Sequence, residues 1–130
     1  MAGPKVAQLD VMHTLVAAGT DDDFFAVFTL PGSWLIKAAR IIPLATSTGH
    51  ASNYAVLTLT NGATTIGAWS TLSTADSTLT EGTDAAFPLD GTGSDLVIAQ
   101  NDVIKLAKVE TVSGVGVHCI VSLLLEQRPL

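Results

Sequence analysis

The side chains with the greatest chemical potential in this chain are His13, His50, His118 and Cys119. The three histidines are too scattered to form the closely spaced His-x-His set, completed by Glu and His, of a metal-binding cupin barrel. Adjacent strand residues point to opposite faces, so Cys119 beside His118 is expected to be a small buried side chain rather than a nucleophile. The sequence therefore predicts no catalytic residue, no metal site and no cofactor.

Carboxylates and tryptophans give two further candidate sites. Residues 21–23 are consecutive aspartates, but they lack the spaced Asp pattern of a calcium loop, so we interpret them as a solvated turn before Phe24. Trp34 and Trp69 could stack on sugars if they were exposed. With aromatic residues at only 5% of the chain, a core or interface role is favoured for both.

Charge is scarce and mostly negative. The chain has 12 acidic against 6 basic residues, a formal net charge of -6, and no basic residue between Arg40 and Lys105. Nucleic-acid binding is disfavoured because it needs a basic footprint that releases counterions. The basic residues inside apolar runs are expected to be solvated in most cases, with pairing to acidic groups or contact with an acidic partner as the alternatives; they are Lys37, Arg40, Lys105 and Lys108.

No membrane or secretion signal is evident. The apolar stretch at residues 111–125 is too short to span a bilayer and is interrupted by polar and glycine residues. The first residues lack the apolar centre of a signal peptide, and the single cysteine allows no intrachain disulfide. We therefore expect synthesis in a cytoplasm and no membrane partner.

Apolar residues recur with a period near two, which predicts strands. Residues 53–60 and 64–70 flank Asn61-Gly62, a tight-turn signal, and predict a β-hairpin. Residues 73–94, rich in Thr, Ser, Asp and Gly, predict an extended loop with one short strand near residues 85–89. Further strands are predicted at residues 6–17, 24–30, 34–42, 96–99, 102–109 and 117–125, which together predict an all-β, single-domain sandwich or barrel.

The last predicted strand has apolar residues on both faces. Ile120 and Leu124 occupy positions that should be polar on a solvated antiparallel face. With 48% hydrophobic and 14% charged residues, the chain has more apolar surface than one core hides. We therefore expect Ile120 and Leu124 to contact another segment or a neighbouring subunit.

The N-terminal run is the second candidate contact. Val6, Leu9, Met12 and Leu15 form an apolar stripe whose spacing fits a strand or one amphipathic helix. We expect residues 1–20 to be an N-terminal arm or first strand that binds a partner. Residues 21–130 are then the β-sandwich domain.

Several segments follow one another in a distinctive order. They are residues 28–31 (Phe-Thr-Leu-Pro), 38–43 (Ala-Ala-Arg-Ile-Ile-Pro), 53–59, 99–106 and a Gly-rich turn before an apolar final strand. This order of strands and turns, over most of residues 24–126, resembles the small decoration, or cement, proteins of tailed-bacteriophage capsids. The resemblance implies a jelly-roll-like antiparallel β-sandwich that binds the outer capsid surface of the virion as a dimer or trimer and stabilises contacts between major capsid proteins.

Three functions of different classes are compatible with these observations. The first is a structural, non-enzymatic capsid decoration protein. The second is a phage head or tail module that binds a receptor or carbohydrate, which would require Trp34 or Trp69 to be exposed. The third is a small cupin-type enzyme, which would require His50 or His118 to converge on another ligand. We favour them in that order.

Overall fold

Alternating apolar residues form nine β-strands in a computed structural model that describes residues 5–128, without the side chains of residues 14 and 15. A short 3₁₀ turn at Gly93–Leu96 precedes β7. None of the helical structure within residues 5–128 is long and apolar enough to cross a membrane. The strands are β1 (Val6–Val16), β2 (Asp22–Val27), β3 (Ser33–Pro43), β4 (Tyr54–Asn61), β5 (Thr64–Ser70), β6 (Ala85–Ala86), β7 (Val97–Ala99), β8 (Val103–Thr111) and β9 (Val117–Gln127).

The strands form two antiparallel sheets. Sheet A has the order β1-β9-β3, with β6 and β7 both paired to the far side of β3, and sheet B has the order β2-β8-β4-β5. The pairs are thus β1 with β9, β2 with β8, β3 with β6 and β7, and β4 with β5. This nesting of early strands with late strands is a jelly roll. It confirms the predicted all-β, single-domain antiparallel β-sandwich.

The core lies between the two sheets and is built by every second residue. In β9 the inward residues are all fully buried, at 0% exposure; they are Val117, Cys119, Val121, Leu123 and Leu125. They pack in one cluster with buried residues of sheet B such as Leu57 and Leu106. Because successive side chains of a strand point to opposite faces, every second residue of each strand is buried in the core.

The predicted hairpin is present as β4 and β5. Asn61 ends β4 and Thr64 begins β5, so Gly62 and Ala63 form the two-residue connection. Gly62 has a φ of +61°, a conformation that glycine adopts without steric cost. The predicted extended loop is also present, and its one short strand is β6.

The N-terminal segment is a strand of sheet A rather than a helix. Strand β1 runs antiparallel to β9, from the pair Val6 and Glu126 to the pair Val16 and Val117, with one irregularity after His13. Val11 of β1 is part of the core cluster. Residues 6–16 of the expected arm or first strand are therefore a structural part of the sandwich.

The outer edge of β5 is covered by the segment that follows β6. The Ala68 amide donates to the Pro88 carbonyl at 3.3 Å, and the Ile66 carbonyl accepts from Asp90 at 2.9 Å. Gly67 makes this approach possible, because a Cβ at this position would overlap the Pro88 carbonyl oxygen. The segment replaces a neighbouring strand and protects the edge.

Replacing Gly67 with alanine is expected to destabilise the sandwich by about 1–3 kcal/mol, because the new methyl group forces the Pro88 backbone away from β5. Gly116→Ala is the matched control, since the nearest atom to its added Cβ is the Val16 carbonyl oxygen at 3.4 Å, an ordinary contact. Urea unfolding of both variants measures the difference. Equal stability would show that the Pro88 segment does not hold the edge of β5.

Candidate functional site

The histidines are placed in three separate environments, of which that of His118 is a half-buried position on β9. His13 is buried and packs on the Phe24 ring, with 4.4 Å between ring centroids. His50 is exposed, and its Nδ1 accepts hydrogen bonds from the backbone amides of Ser52 at 3.0 Å and Asn53 at 2.9 Å. Within residues 5–128, no three His, Cys, Asp or Glu side chains lie together as a metal site would require.

Cys119 is buried in sheet A, and burial raises the pKa of its thiol to about 12. The thiolate is the nucleophilic form, so an inward thiol with this pKa is unreactive near neutral pH. The structure thus places Cys119 in the core, as the alternation of β9 predicted.

The carboxylates of residues 21–23 serve the local backbone. Asp21 accepts a hydrogen bond from the Glu110 amide at 2.8 Å, and Asp22 accepts one from the Asp23 amide at 2.8 Å. All three residues are exposed. Asp21 therefore connects the residue before β2 to β8.

Neither tryptophan is an exposed platform. Trp34 is 4% exposed and Trp69 is 7% exposed. The Trp34 indole donates to the Pro31 carbonyl at 3.1 Å and packs edge-on against Phe28. The condition set for a sugar-stacking site is therefore not met by either residue.

Lys108 is an exception to the expected solvation of basic residues. Its side chain is fully buried, and its ammonium group donates to the carbonyls of Ala17 at 3.0 Å, Thr20 at 3.1 Å and Val16 at 3.4 Å. It also forms an ion pair with Glu110. The signal was present in the sequence, because Lys108 has the same parity along β8 as the buried Ile104 and Leu106.

Glu110 completes this cluster, which we call the corner clamp. Its carboxylate accepts a hydrogen bond from the Gly19 amide and lies directly against Gly114, where a Cβ would overlap it. The clamp joins the β1–β2 turn, strand β8 and the β8–β9 turn at one end of the sandwich. A buried ammonium needs this many partners because an unpaired buried charge is strongly destabilising.

The outer face of sheet A carries apolar residues that lie outside the core. We call it the A face, and it consists of one apolar row, one polar row and one mixed row in which Leu124 is the large apolar residue. In the apolar row Ile120 lies between Met12 and Ile42, and in the mixed row Leu124 lies between Gln8 and Ala38. Met12 is 52% exposed and Leu124 is 48% exposed.

The polar row of the A face consists of Asp10, Ser122 and Arg40, side by side on β1, β9 and β3. The Arg40 side chain donates to the Asp84 carboxylate at 2.5 Å. This hydrogen bond, together with the charge attraction, raises the pKa of Arg40 and lowers the pKa of Asp84. The A face thus combines apolar area with fixed polar groups.

The residues predicted to bind a partner fall on more than one surface. Met12, Ile120 and Leu124 lie together on the A face, and Val6 lies at its end, 66% exposed. Strand alternation turns Leu9 to the opposite side of β1, where it is half-buried against the core. Leu15 lies within β1, but its side chain is outside the described part of the structure.

The outer face of sheet B also has exposed apolar residues, but in a different arrangement. Val109, 54% exposed, is paired across the sheet with Val56, whereas Phe25 lies beside Lys105. Thr58 and Thr60 of β4 occupy the middle of this face. Val27 and Val103, 52% and 45% exposed, pair with each other next to Phe25. The rows of Thr58 and of Thr60 with Lys105 separate them from Val109.

A groove of about 370 Å³ adjoins the end of the A face. It lies between the start of β1, the β2–β3 turn and the end of β9. Its lining residues are Lys5, Val6, Leu30, Pro31, Trp34 and Gln127. These six residues include no acid–base pair that could act on a substrate. The groove therefore extends the surface of the A face without adding catalytic groups.

Lys108→Met is expected to lower the free energy of unfolding by about 3 kcal/mol or more, because it leaves Glu110 without its buried cation. Lys105→Met, on the outer side of the same strand, is the matched control and should change stability by less than about 0.5 kcal/mol. Combining Lys108→Met with Glu110→Gln should recover part of the loss. Chemical denaturation measures all three, and an unchanged Lys108→Met would contradict the role of the corner clamp.

The Cys119 thiol should resist Ellman's reagent in the folded protein at pH 8 and react fully in denaturant, because its pKa is about 12 and its sulfur is buried. The absorbance of the released thiolate measures both reactions. Rapid reaction of the native protein would place Cys119 at an accessible surface and contradict its position in the core.

Comparison with known proteins gives no relative that shows the family. No protein-family model and no curated protein matches the chain. A solved viral structure, "Structure of infectious bursal disease virus Gt strain", is 14% identical and aligns over 98% of this chain and 42% of its own, with a TM-score of 0.16. The chain thus spans less than half the length of that viral chain, and a likeness at this TM-score carries no argument about fold or function.

Proposed function

We propose that this chain is a structural virion protein, a capsid decoration or cement protein that binds the outside of a tailed-phage head. The observation that carries the proposal is the A face. It presents apolar side chains of three adjacent strands on one sheet face, where Met12 and Leu124 are exposed and Ile42 and Ile120 are half-buried. A surface of this kind is typical of a protein that works by binding another protein.

The position of the A face within the fold supports this role. Ile120 and Leu124 lie on β9, the central strand of sheet A, whose inward residues are fully buried. The backbone beneath the face is therefore held by hydrogen bonds on both sides and by the core below. A preorganised surface loses little conformational entropy when it binds, so more of the burial energy remains as affinity.

The mechanism that we propose is stabilisation by burial across a seam between major capsid proteins. Apolar area removed from water contributes roughly 25 cal/mol per Å² before the costs of association are subtracted. A protein that binds only the assembled shell shifts the equilibrium towards that shell by mass action. The polar row of Asp10, Ser122 and Arg40 supplies hydrogen-bonding groups that fix the orientation of the contact.

The partners in this proposal are the major capsid protein and further copies of the same chain, as a dimer or trimer. Nucleic acid is not a partner, because 6 basic residues against 12 acidic ones give no basic footprint. The place of action is the outer capsid surface of the virion, after synthesis in the host cytoplasm. No step of this role requires catalysis or a cofactor.

The alternative role, recognition of a receptor or a carbohydrate, depended on an exposed tryptophan. Trp34 and Trp69 are both buried, so the structure offers no observation that favours this alternative over capsid binding. The A face has no aromatic side chain among its central residues, which are Met12, Ala38, Ile42, Ile120 and Leu124.

Leu124→Lys is expected to weaken binding to capsids by at least about tenfold, because it places an unpaired ammonium in the middle of the A face. Val109→Lys is the matched control, an exposed valine of the central strand β8 on the outer face of sheet B. It should change binding by less than about twofold. Co-sedimentation with heads of the phage that encodes the chain, prepared without this protein, measures the affinity of each variant.

Two results would contradict the proposal. If the wild-type protein does not sediment with such heads, the proposed capsid role is wrong. Binding that Val109→Lys weakens more than Leu124→Lys does would show that sheet B, rather than the A face, makes the contact. Circular dichroism confirms that both variants keep the β-sandwich.

A further inference from the structure

Strand β1 has one side that no other strand occupies. It is 11 residues long and pairs with β9 on one side only. In the described part of the chain, sheet A ends at β1, and the backbone of residues 6–12 has no hydrogen bond to a segment other than β9. The strand contains no proline, lysine or arginine, the residues that most often protect an edge from pairing with another chain.

The other edges of the sandwich are protected or short. The segment around Pro88 covers β5, and the far side of β3 meets only the short strands β6 and β7. Strand β2 has 6 residues and begins with two exposed aspartates. Strand β1 is therefore the long edge that remains available for pairing in the described part of the chain.

The residues of β1 are arranged to complement themselves. In antiparallel pairing, residues directly opposite each other point to the same face of the sheet. If two copies meet with Leu9 opposite Leu9, Gln8 lies opposite the partner's Asp10 and Val6 lies opposite the partner's Met12. On the inner face, Ala7 lies opposite the partner's Val11. An amide thus meets a carboxylate, and apolar residues meet apolar residues.

Neighbouring registers lack this match. A shift that centres the pair on Asp10 places two carboxylates opposite each other, which is unfavourable. A shift that centres it on Gln8 places Val6 opposite the partner's Asp10. Registers shifted by a single residue would pair an outward residue of one copy with an inward residue of the other. They are excluded because the inner face of the sheet is buried.

We propose that two copies of this chain form a dimer by antiparallel pairing of their β1 strands about a two-fold axis at Leu9. The occupant of the β1 edge is a second copy, because the pattern from Val6 to Met12 is complementary to itself in this register. Within one copy, the Gln8 amide already donates to the Asp10 carboxylate at 3.0 Å. In the dimer these two residues and their counterparts form one polar cluster around the axis.

The pairing would make sheet A continuous across both copies. It adds main-chain hydrogen bonds along the edge, which supply affinity, while the side-chain pattern supplies the register. The isologous geometry closes at two copies and leaves no edge of β1 for a third. The inference goes beyond the capsid role and does not depend on it.

Cysteine cross-linking tests the register. Gln8→Cys and Asp10→Cys each change one exposed residue of the outer face. Mixed together, the two variants place their new cysteines directly opposite each other, within reach of a disulfide. In either variant alone the new cysteines are diagonal neighbours, about 7 Å apart, which is beyond the Cβ separation of about 3.5–4.5 Å that a disulfide needs. Cys119 does not compete, because its thiol is buried.

Oxidation of the mixture should give the covalent heterodimer at least about tenfold faster than either variant gives its own homodimer, as read by intact mass. Light scattering should give the wild-type mass as a dimer. A monomer, a trimer, or cross-linking that is equally fast in a single variant would each overturn the proposal.

Light scattering and cross-linking, combined with co-sedimentation with heads, distinguish the failure of this proposal from the failure of the capsid role. A monomer that still binds heads through Leu124 would reject the pairing of β1 and leave the decoration function standing. A cross-linked dimer that does not bind heads would support the pairing and reject the decoration function.

Discussion

The pairing of the last strand with the first and third strands is the constraint on which the rest of this structure depends. Strand β9 lies between β1 and β3, and all five of its inward residues are fully buried. Sheet A therefore forms only when segments more than a hundred residues apart meet, which is a long loop closure that the core must offset. The same arrangement places Ile120 and Leu124 in the middle of the A face, so the strand that closes the core also presents the candidate interface.

The corner clamp binds backbone polar groups at the end of the sandwich where the chain crosses between the two sheets. The chain crosses from sheet A to sheet B after β1 and returns after β8, and both crossings leave carbonyl and amide groups near the core. Lys108 binds three carbonyls and Glu110 binds one amide, all of them at the end of β1 or in the turn that follows it, so the first crossing is held without adding a strand. A charged pair is used here because one ammonium satisfies several acceptors at once, which a neutral side chain in this position would leave unpaired.

Local patterns in the sequence are sufficient to predict where the strands lie, but not which strands pair with each other in the sheets. The hairpin of β4 and β5 is readable because its turn and its alternation lie within about twenty residues. The burial of Lys108 also follows from its parity with Ile104 and Leu106, although its residue type favours a solvated position. The spacing of Val6, Leu9 and Met12 fits a strand or a helix, and the strand that forms turns Leu9 to the other side. The order β1-β9-β3 has no local signal, because it is decided by which apolar faces meet across the whole chain.

The A face and the β1 edge reinforce each other physically. A single A face offers a few apolar side chains and one polar row, which is a small contact for a stable complex. Pairing through β1 would place two A faces on one continuous sheet without changing any residue of either face. The second face would then bind at a high effective concentration, so two weak contacts act as one strong contact on a repetitive surface such as a shell. The edge of β1 carries one carboxylate, Asp10, but no lysine or proline, so it remains open to pairing, and the self-complementary pattern around Leu9 is the reason that we propose a second copy as its partner.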